Sequence, residues 1–180
     1  MNVGVVHCAH RAARYLDIAA GETYLRYAVS LDQGREATVE EGLKVTVVDN
    51  EFATMVYHAR YKIVHHTFHK PLAGAAFRDV LMHGLKLFKE RGANKWLSDD
   101  RGNSALHPDD GKWAMEVWSK QTIDAGWKYW AIVMPDAALG RANMRRFIRE
   151  YADRGVEVRI FESPEEAFEW LKRPDVATDM

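Results

Sequence analysis

Residues 44–69 consist of short apolar segments divided by polar breaks, a pattern typical of β-strands. Three segments of this stretch are rich in valine, threonine and aromatic residues, namely Lys44–Val48, Phe52–His58 and Lys62–His69. Short polar breaks separate them, and Pro71 follows the last one. The pattern predicts extended strands with antiparallel, hairpin-like pairing at the start of the fold.

After residue 71 the apolar positions recur at the spacing of helices that bury one face. Gly92, Gly126 and Gly155 follow three of these stripes, where glycine commonly ends a helix. Pro108 and Pro164 suit the first turn of two helices. The pattern predicts four helices, over about 77–91, 108–125, 138–154 and 164–171.

Three further strands separate these helices, over Ala93–Ser98, Trp127–Met134 and 156–160. Alternation along the second of them places Trp127 and Tyr129 on one face and Trp130 on the other. Both faces are apolar, which is typical of a central strand covered by helices on both sides. The element order predicts an α/β fold with a mostly parallel, mixed sheet and right-handed crossovers.

The composition is that of a globular protein with one ordinary domain, since 47% of the 180 residues are hydrophobic and 28% are charged. The net charge of −1 provides no strong field that would attract nucleic acid. No apolar run approaches the length of a membrane-spanning helix, and the single Cys8 excludes an intrachain disulfide. These features predict a cytoplasmic protein with no nucleic-acid partner and no membrane span.

The first 43 residues have a weaker pattern than the rest of the chain. The predicted organisation is an N-terminal arm over 1–43, an α/β domain over 44–173 and a frayed tail over 174–180. One interpretation of the arm is a mis-assigned start, with translation truly beginning near Leu43–Val45.

A polar loop follows the strand Ala93–Ser98, at the sheet edge where open α/β proteins bind ligands. We predict that this loop binds a partner or ligand, with Arg101 pairing an acid and Asn103 or Ser104 donating hydrogen bonds. Trp113, beside the loop, is a further candidate because tryptophan is enriched at interfaces, although it could equally be a partly covered rim residue. The candidate binding residues are Ser98, Asp99, Asp100, Arg101, Asn103, Ser104, His107 and Trp113.

Two alternatives for this loop stay open. The oxygens of Asp99, Asp100 and Asp109 could bind a hard cation, or the polar residues could only shape the turn and cap the next helix. Elsewhere, His65 and His69 are about 13 Å apart along a strand, too far to share one metal. His7, Cys8 and His10 are too closely spaced for a tetrahedral zinc site.

The sequence accordingly predicts no metal and no cofactor. It also contains no glycine-rich phosphate loop and no Gly-x-Ser-x-Gly elbow, so it predicts no catalytic residue. An enzyme that uses Asp99 or Asp100 as a base is the remaining enzymatic alternative.

The segments that suggest a family are Lys62–His69, Lys95–Arg101, Trp127–Met134, Arg154–Phe161 and Ser163–Leu171. Their order over residues 44–173 resembles the STAS domain, the fold of bacterial anti-sigma-factor antagonists. It is especially similar to the bacterial SpoIIAA-like, or STAS-like, proteins. The resemblance implies a β-hairpin followed by α-β-α-β-α-β-α and a regulatory role through protein–protein switching.

In the antagonists, a serine of an Asp-Ser pair near the start of the second helix is phosphorylated. No Asp-Ser pair occurs between Asp99 and His107, and Ser104 is the serine nearest to the matching position. Ser104 is therefore the candidate phosphorylation site, although Asp109 and Asp110 would oppose a phosphate by like charge.

The sequence thus predicts a non-enzymatic STAS-like domain that binds a protein partner or a small ligand through the 98–108 loop and the following helix. The alternative is a carrier of a small, lipid-like apolar molecule in an internal pocket. A homodimer, formed through a strand edge or the basic third helix, stays open as well.

Overall fold

The strands and helices lie within residues 15–17, 24–26 and 44–173, which are the parts of the chain that this computed structural model describes. The strands are β1 (Tyr15–Asp17), β2 (Tyr24–Arg26), β3 (Lys44–Asp49), β4 (Ala53–His58), β5 (Ile63–Phe68), β6 (Lys95–Asp99), β7 (Tyr129–Val133) and β8 (Glu157–Phe161). A 3₁₀ turn, Ala59–Tyr61, links β4 to β5.

The described helices are α1 (Gly74–Arg91), α2 (the consecutive segments Pro108–Trp113, Ala114–Trp118 and Ser119–Asp124), α3 (Ala138–Ala152) and α4 (Pro164–Leu171). The middle segment of α2 is π-helical. Gly92 ends α1 in the left-handed conformation, with φ of 62°. The Ser163 hydroxyl caps α4 by accepting the Glu166 N–H. The four helices and the strands β3 to β8 therefore lie close to the segments that the sequence predicts for them.

The chain divides into two units, Met1–Gly42 and Leu43–Met180. In the first unit, β1 and β2 pair antiparallel. The other residues of the predicted arm, with His7, Cys8 and His10, lie outside the described residues, as does the predicted tail at 174–180. The interpretation of the arm as a mis-assigned start stays a prediction.

In the second unit, six strands form one mixed sheet in the order β3-β4-β5-β6-β7-β8. The first three pair antiparallel, and β5 to β8 are all parallel. Each parallel strand lies beside the one before it in the chain, so right-handed crossovers place α1, α2 and α3 on the same face. The predicted α/β class with a mixed sheet is confirmed.

The two faces of the sheet carry separate apolar cores. The larger core packs under α1, α2 and α3 and includes Val64, Trp96 and Trp130. The smaller core packs α4 against the opposite face and includes Leu97 and Ala131. Strand β7 contributes to both cores, which confirms the prediction of a central strand covered on both faces.

The predicted placement of Trp127 is wrong. Strand β7 begins at Tyr129, and the N–H of Trp127 instead donates to the carbonyl of Thr122 at the end of α2. Because Trp127 precedes the pleated segment, it does not follow the alternation of β7. Its ring lies 5.5 Å from that of Trp130, in the larger core.

A buried carboxylate connects the first turns of α1 and α2. Asp110, which is 2% exposed, accepts hydrogen bonds from the Gly74 N–H at 2.6 Å and from Arg78 Nε at 2.9 Å. Burial by itself raises the pKa of Asp110, but the Gly74 N–H and the Arg78 guanidinium outweigh that effect and hold it below its usual value. Asp110 is thus committed to a structural ion pair.

Candidate functional site

An aromatic pocket lies between the sheet and helices α1, α2 and α3. Its cavity volume is about 60 Å³. The aromatic lining residues are Phe68, Phe77, Trp96, Trp118, Trp127, Trp130, Phe147 and Tyr151. The polar lining residues His66, Ser98, Asp100 and Asn103 come from β5, β6 and the loop that follows β6. The polar part of the lining therefore lies beside the carboxyl ends of parallel strands, where α/β folds bind ligands.

A chain of hydrogen bonds crosses the wall of this pocket. Trp96 Nε1 donates to His66 Nδ1 at 2.8 Å, and His66 Nε2 lies 3.2 Å from Asp100 Oδ1. An indole N–H can only donate, so Nδ1 must accept and the ring proton belongs on Nε2. His66 is therefore a neutral donor to Asp100. With both nitrogens engaged, it has none left to serve as a base.

Asp100 has one carboxylate oxygen available to a ligand. The residue is 3% exposed, and Oδ2 forms no hydrogen bond with any described residue. The loop backbone holds Asp100 in place, because its N–H donates to the Val133 carbonyl and its carbonyl accepts the Asn103 N–H. A Cβ on Gly102 would lie 2.3 Å from the Phe68 carbonyl oxygen, so this close approach requires glycine.

The other polar lining groups are hydroxyls and an amide. Ser98 Oγ accepts from Trp130 Nε1 at 2.8 Å and donates to no described residue. Asn103 accepts the Ser104 N–H through Oδ1. Burial raises the pKa of Tyr151 above its usual value, so this phenol stays neutral.

The π-helical turn of α2 widens the helix beside the pocket. Ala114 and Trp118, at its two ends, line the cavity. The Met115 carbonyl accepts hydrogen bonds from Ser119 Oγ at 2.7 Å and from the Arg154 guanidinium at 2.8 Å. These donors stabilise the turn, and π-bulges are frequent at functional sites.

The eight candidate residues from the sequence divide among several places. Ser98, Asp100 and Asn103 line the pocket. Asp99 is buried on the opposite face of β6, where Arg101 Nε and Nη2 donate to its two oxygens, each at 2.8 Å. This hydrogen bonding raises the pKa of Arg101. The alternation of β6 separates the adjacent Asp99 and Asp100.

The remaining candidates lie outside the pocket. Ser104 and His107 are exposed, and His107 Nδ1 caps α2 by accepting the Asp109 N–H. Trp113 is half-buried, and the guanidinium carbon of Arg78 lies over its indole, 5.3 Å from the ring centre. Within residues 44–173, Asp109 does not join the other acids in any group able to hold a metal ion.

His66 is the site residue that the sequence reasoning missed. The alternation of β5 already put it between Val64 and Phe68, on the face that proves to be the larger core. A histidine on an apolar strand face needs hydrogen-bond partners, and the indole at Trp96 and the carboxylate at Asp100 supply them. The signal was present, but its partners lie far away in sequence.

Two neighbouring histidines, His58 of β4 and His65 of β5, lie on the sheet face opposite to the pocket. The ring centres of His58 and His65 are 5.9 Å apart, and the ring centres of His58 and Phe168 of α4 are 4.6 Å apart. Burial lowers the pKa of each histidine to about 4, and the Lys44 ammonium adds to the effect. Both rings are therefore neutral at pH 7.

We expect the free energy of unfolding to fall by about 2–3 kcal/mol between pH 6.5 and 4, after allowance for partial solvent screening. The unfolded chain binds protons near pH 6.5, whereas folded His58 and His65 bind them only near pH 4. Urea titrations across this range would measure the loss. His65→Gln should flatten the profile and His83→Gln, on α1, should not. A wild-type profile that is already flat would contradict the assignment.

No family model, no curated protein and no solved structure matches this chain. In the described part of the chain, no helix combines the length and the apolar character needed to cross a bilayer.

Proposed function

We propose that the chain is a STAS-like domain that binds a small ligand in its aromatic pocket. The initial antiparallel strands, the sequential parallel strands and the last helix on the opposite face support the STAS-like assignment. The observation that carries the binding role is the buried residue Asp100, which lines an aromatic cavity and whose Oδ2 has no hydrogen-bond partner among the described residues.

Binding fits this pocket better than catalysis does. His66 uses both ring nitrogens, and Ser98 is hydrogen-bonded to Trp130 rather than to a base. A nucleophilic serine needs an adjacent base to take its proton. The polar groups around the cavity are instead fixed donors and acceptors, which orient a ligand without reacting with it.

A protein partner is the second candidate. The 98–108 loop exposes Arg101, Ser104 and His107 to solvent, and we call these three residues its outer side, whereas Ser98, Asp100 and Asn103 line the pocket. Regulatory switching through this outer side, with Ser104 as the modified residue, agrees with the family resemblance. The nearby negative charge of Asp109 opposes it.

Tryptophan indole resonances can test the ligand proposal directly. Titration of ¹⁵N-labelled protein with 1-propanol should shift the indole N–H signals of the lining tryptophans Trp96, Trp118, Trp127 and Trp130. It should leave Trp113 and Trp170, which do not line the pocket, unchanged. The shifts should saturate, because they report one site.

Matched leucine variants provide the control. Leu106→Phe adds volume at the pocket wall and should abolish the shifts, whereas Leu139→Phe, at a position 72% exposed, should preserve them. If 1-propanol, propylammonium and propionate all leave the four signals unmoved, the ligand proposal fails. If a protein is then captured only while Arg101 and His107 are intact, the partner proposal replaces it.

A further inference from the structure

We propose that the pocket selects a small organic ammonium ion, an inference that rests on the proposed ligand-binding function. The charge of the lining favours a cation. Asp100 is the one carboxylate among the lining residues of the described chain, and these residues include no lysine or arginine. The neutral His66 donates to Asp100 without supplying a positive charge.

This charge pattern excludes anionic ligands. A carboxylate or phosphate in the cavity would meet Asp100 in a poorly solvated space, where like charges repel strongly. An ammonium group would instead give Oδ2 of Asp100 the hydrogen-bond donor that no described residue supplies. Charge-assisted hydrogen bonds of this kind are about twice as strong as neutral ones.

The aromatic lining of the pocket also favours a cation. The rings of Trp96 and Trp118 are 5.1 Å apart, those of Trp118 and Trp127 are 5.3 Å apart, and Trp130 continues the cluster. Indole is the side chain that attracts cations most strongly through its ring face. A single buried ion pair often fails to offset the free energy that an ammonium group loses when it leaves water. The indole rings and the Asp100 carboxylate together would offset it.

The size of the cavity limits the ligand. Its volume of about 60 Å³ is less than half of the roughly 150 Å³ of an engineered cavity that holds benzene. The ligand is therefore an ammonium ion with a short alkyl chain, or a larger molecule that inserts only such an end.

Three ligands of one carbon skeleton test this selectivity. Propylammonium, 1-propanol and propionate would be titrated separately at pH 7 and equal ionic strength, with the four lining indole signals as the measurement. We expect the Kd of propylammonium to be about tenfold lower than that of 1-propanol. Propionate should not shift the four signals.

Asp100→Asn provides the variant test. It keeps the oxygen that accepts from His66 but removes the charge, so propylammonium should lose its tenfold advantage while 1-propanol still binds. Asp109→Asn removes a charge at an exposed position of α2 and should keep the tenfold preference for propylammonium. If Asp100→Asn does not fold, the comparison of the three ligands in the wild-type protein still decides the question.

The outcomes separate the two proposals. Equal or tighter binding of 1-propanol, or binding of propionate, would overturn the ammonium inference and leave the ligand-binding function standing. Failure of all three ligands to shift the four lining indole signals would overturn both.

Discussion

Replacing Trp96 with phenylalanine is expected to lower the free energy of unfolding by about 3–5 kcal/mol. The substitution removes the N–H that donates to His66 Nδ1 at 2.8 Å and leaves that buried nitrogen without its donor. It also removes part of a ring that packs against Phe88 and Trp118 and is only 1% exposed. The lost hydrogen bond and the new cavity both destabilise the fold.

Trp113→Phe is the matched control for this substitution. Trp113 is half-buried outside the pocket, and its indole N–H donates to no described residue. Its replacement should cost about 1 kcal/mol or less. Urea denaturation followed by circular dichroism would compare the two variants. Equal losses would show that the hydrogen bond to His66 contributes nothing specific.

Gly84→Ala is expected to destabilise the protein by about 2–3 kcal/mol despite the better helix propensity of alanine. A Cβ at this position of α1 would lie 2.1 Å from Cη2 of Trp96. The Trp96 ring cannot move away easily, because Phe88 and Trp118 pack around it. The clash is therefore relieved only by displacing the helix or the ring.

The same substitution in a Trp96→Phe background should cost clearly less, since the clashing indole atoms are gone. A double-mutant cycle would measure this coupling, expected at about 1–2 kcal/mol. Gly111→Ala is the control, because its Cβ would meet only the edge of the Phe147 ring, at 3.0 Å. Additive losses for Gly84→Ala and Trp96→Phe would contradict the direct contact.

Local pattern predicts most of the secondary structure of the second unit. The strands β3 to β5 follow from their valine, threonine and aromatic content, and α1 follows from the apolar stripe that Gly92 ends. Such signals depend on neighbours within a few residues of each other. The placement of Trp127 was predicted wrongly because β7 begins two residues later, at Tyr129. The start of a strand is set by hydrogen bonds to other elements, and the Trp127 N–H donates to α2 instead.

The site was predicted only in part, for a related reason. The loop after β6 was predicted because polar residues cluster there, and its Asp100 and Asn103 line the pocket together with Ser98 of β6. Its other half is built by side chains from α1, α2 and α3, which no local pattern brings together. The separation of Asp99 from Asp100 could have been inferred by continuing the alternation of β6 one residue further.

The sequential order of the strands has a consequence for how the sheet assembles. In the six-stranded sheet, every strand after β3 pairs with the strand that precedes it in the chain, so each new pairing closes a loop of at most one helix and its turns. Contacts of short sequence separation carry a small entropic cost, and they favour fast folding. During synthesis the hairpin strands can pair first, and each later strand can then add to an edge that is already in place.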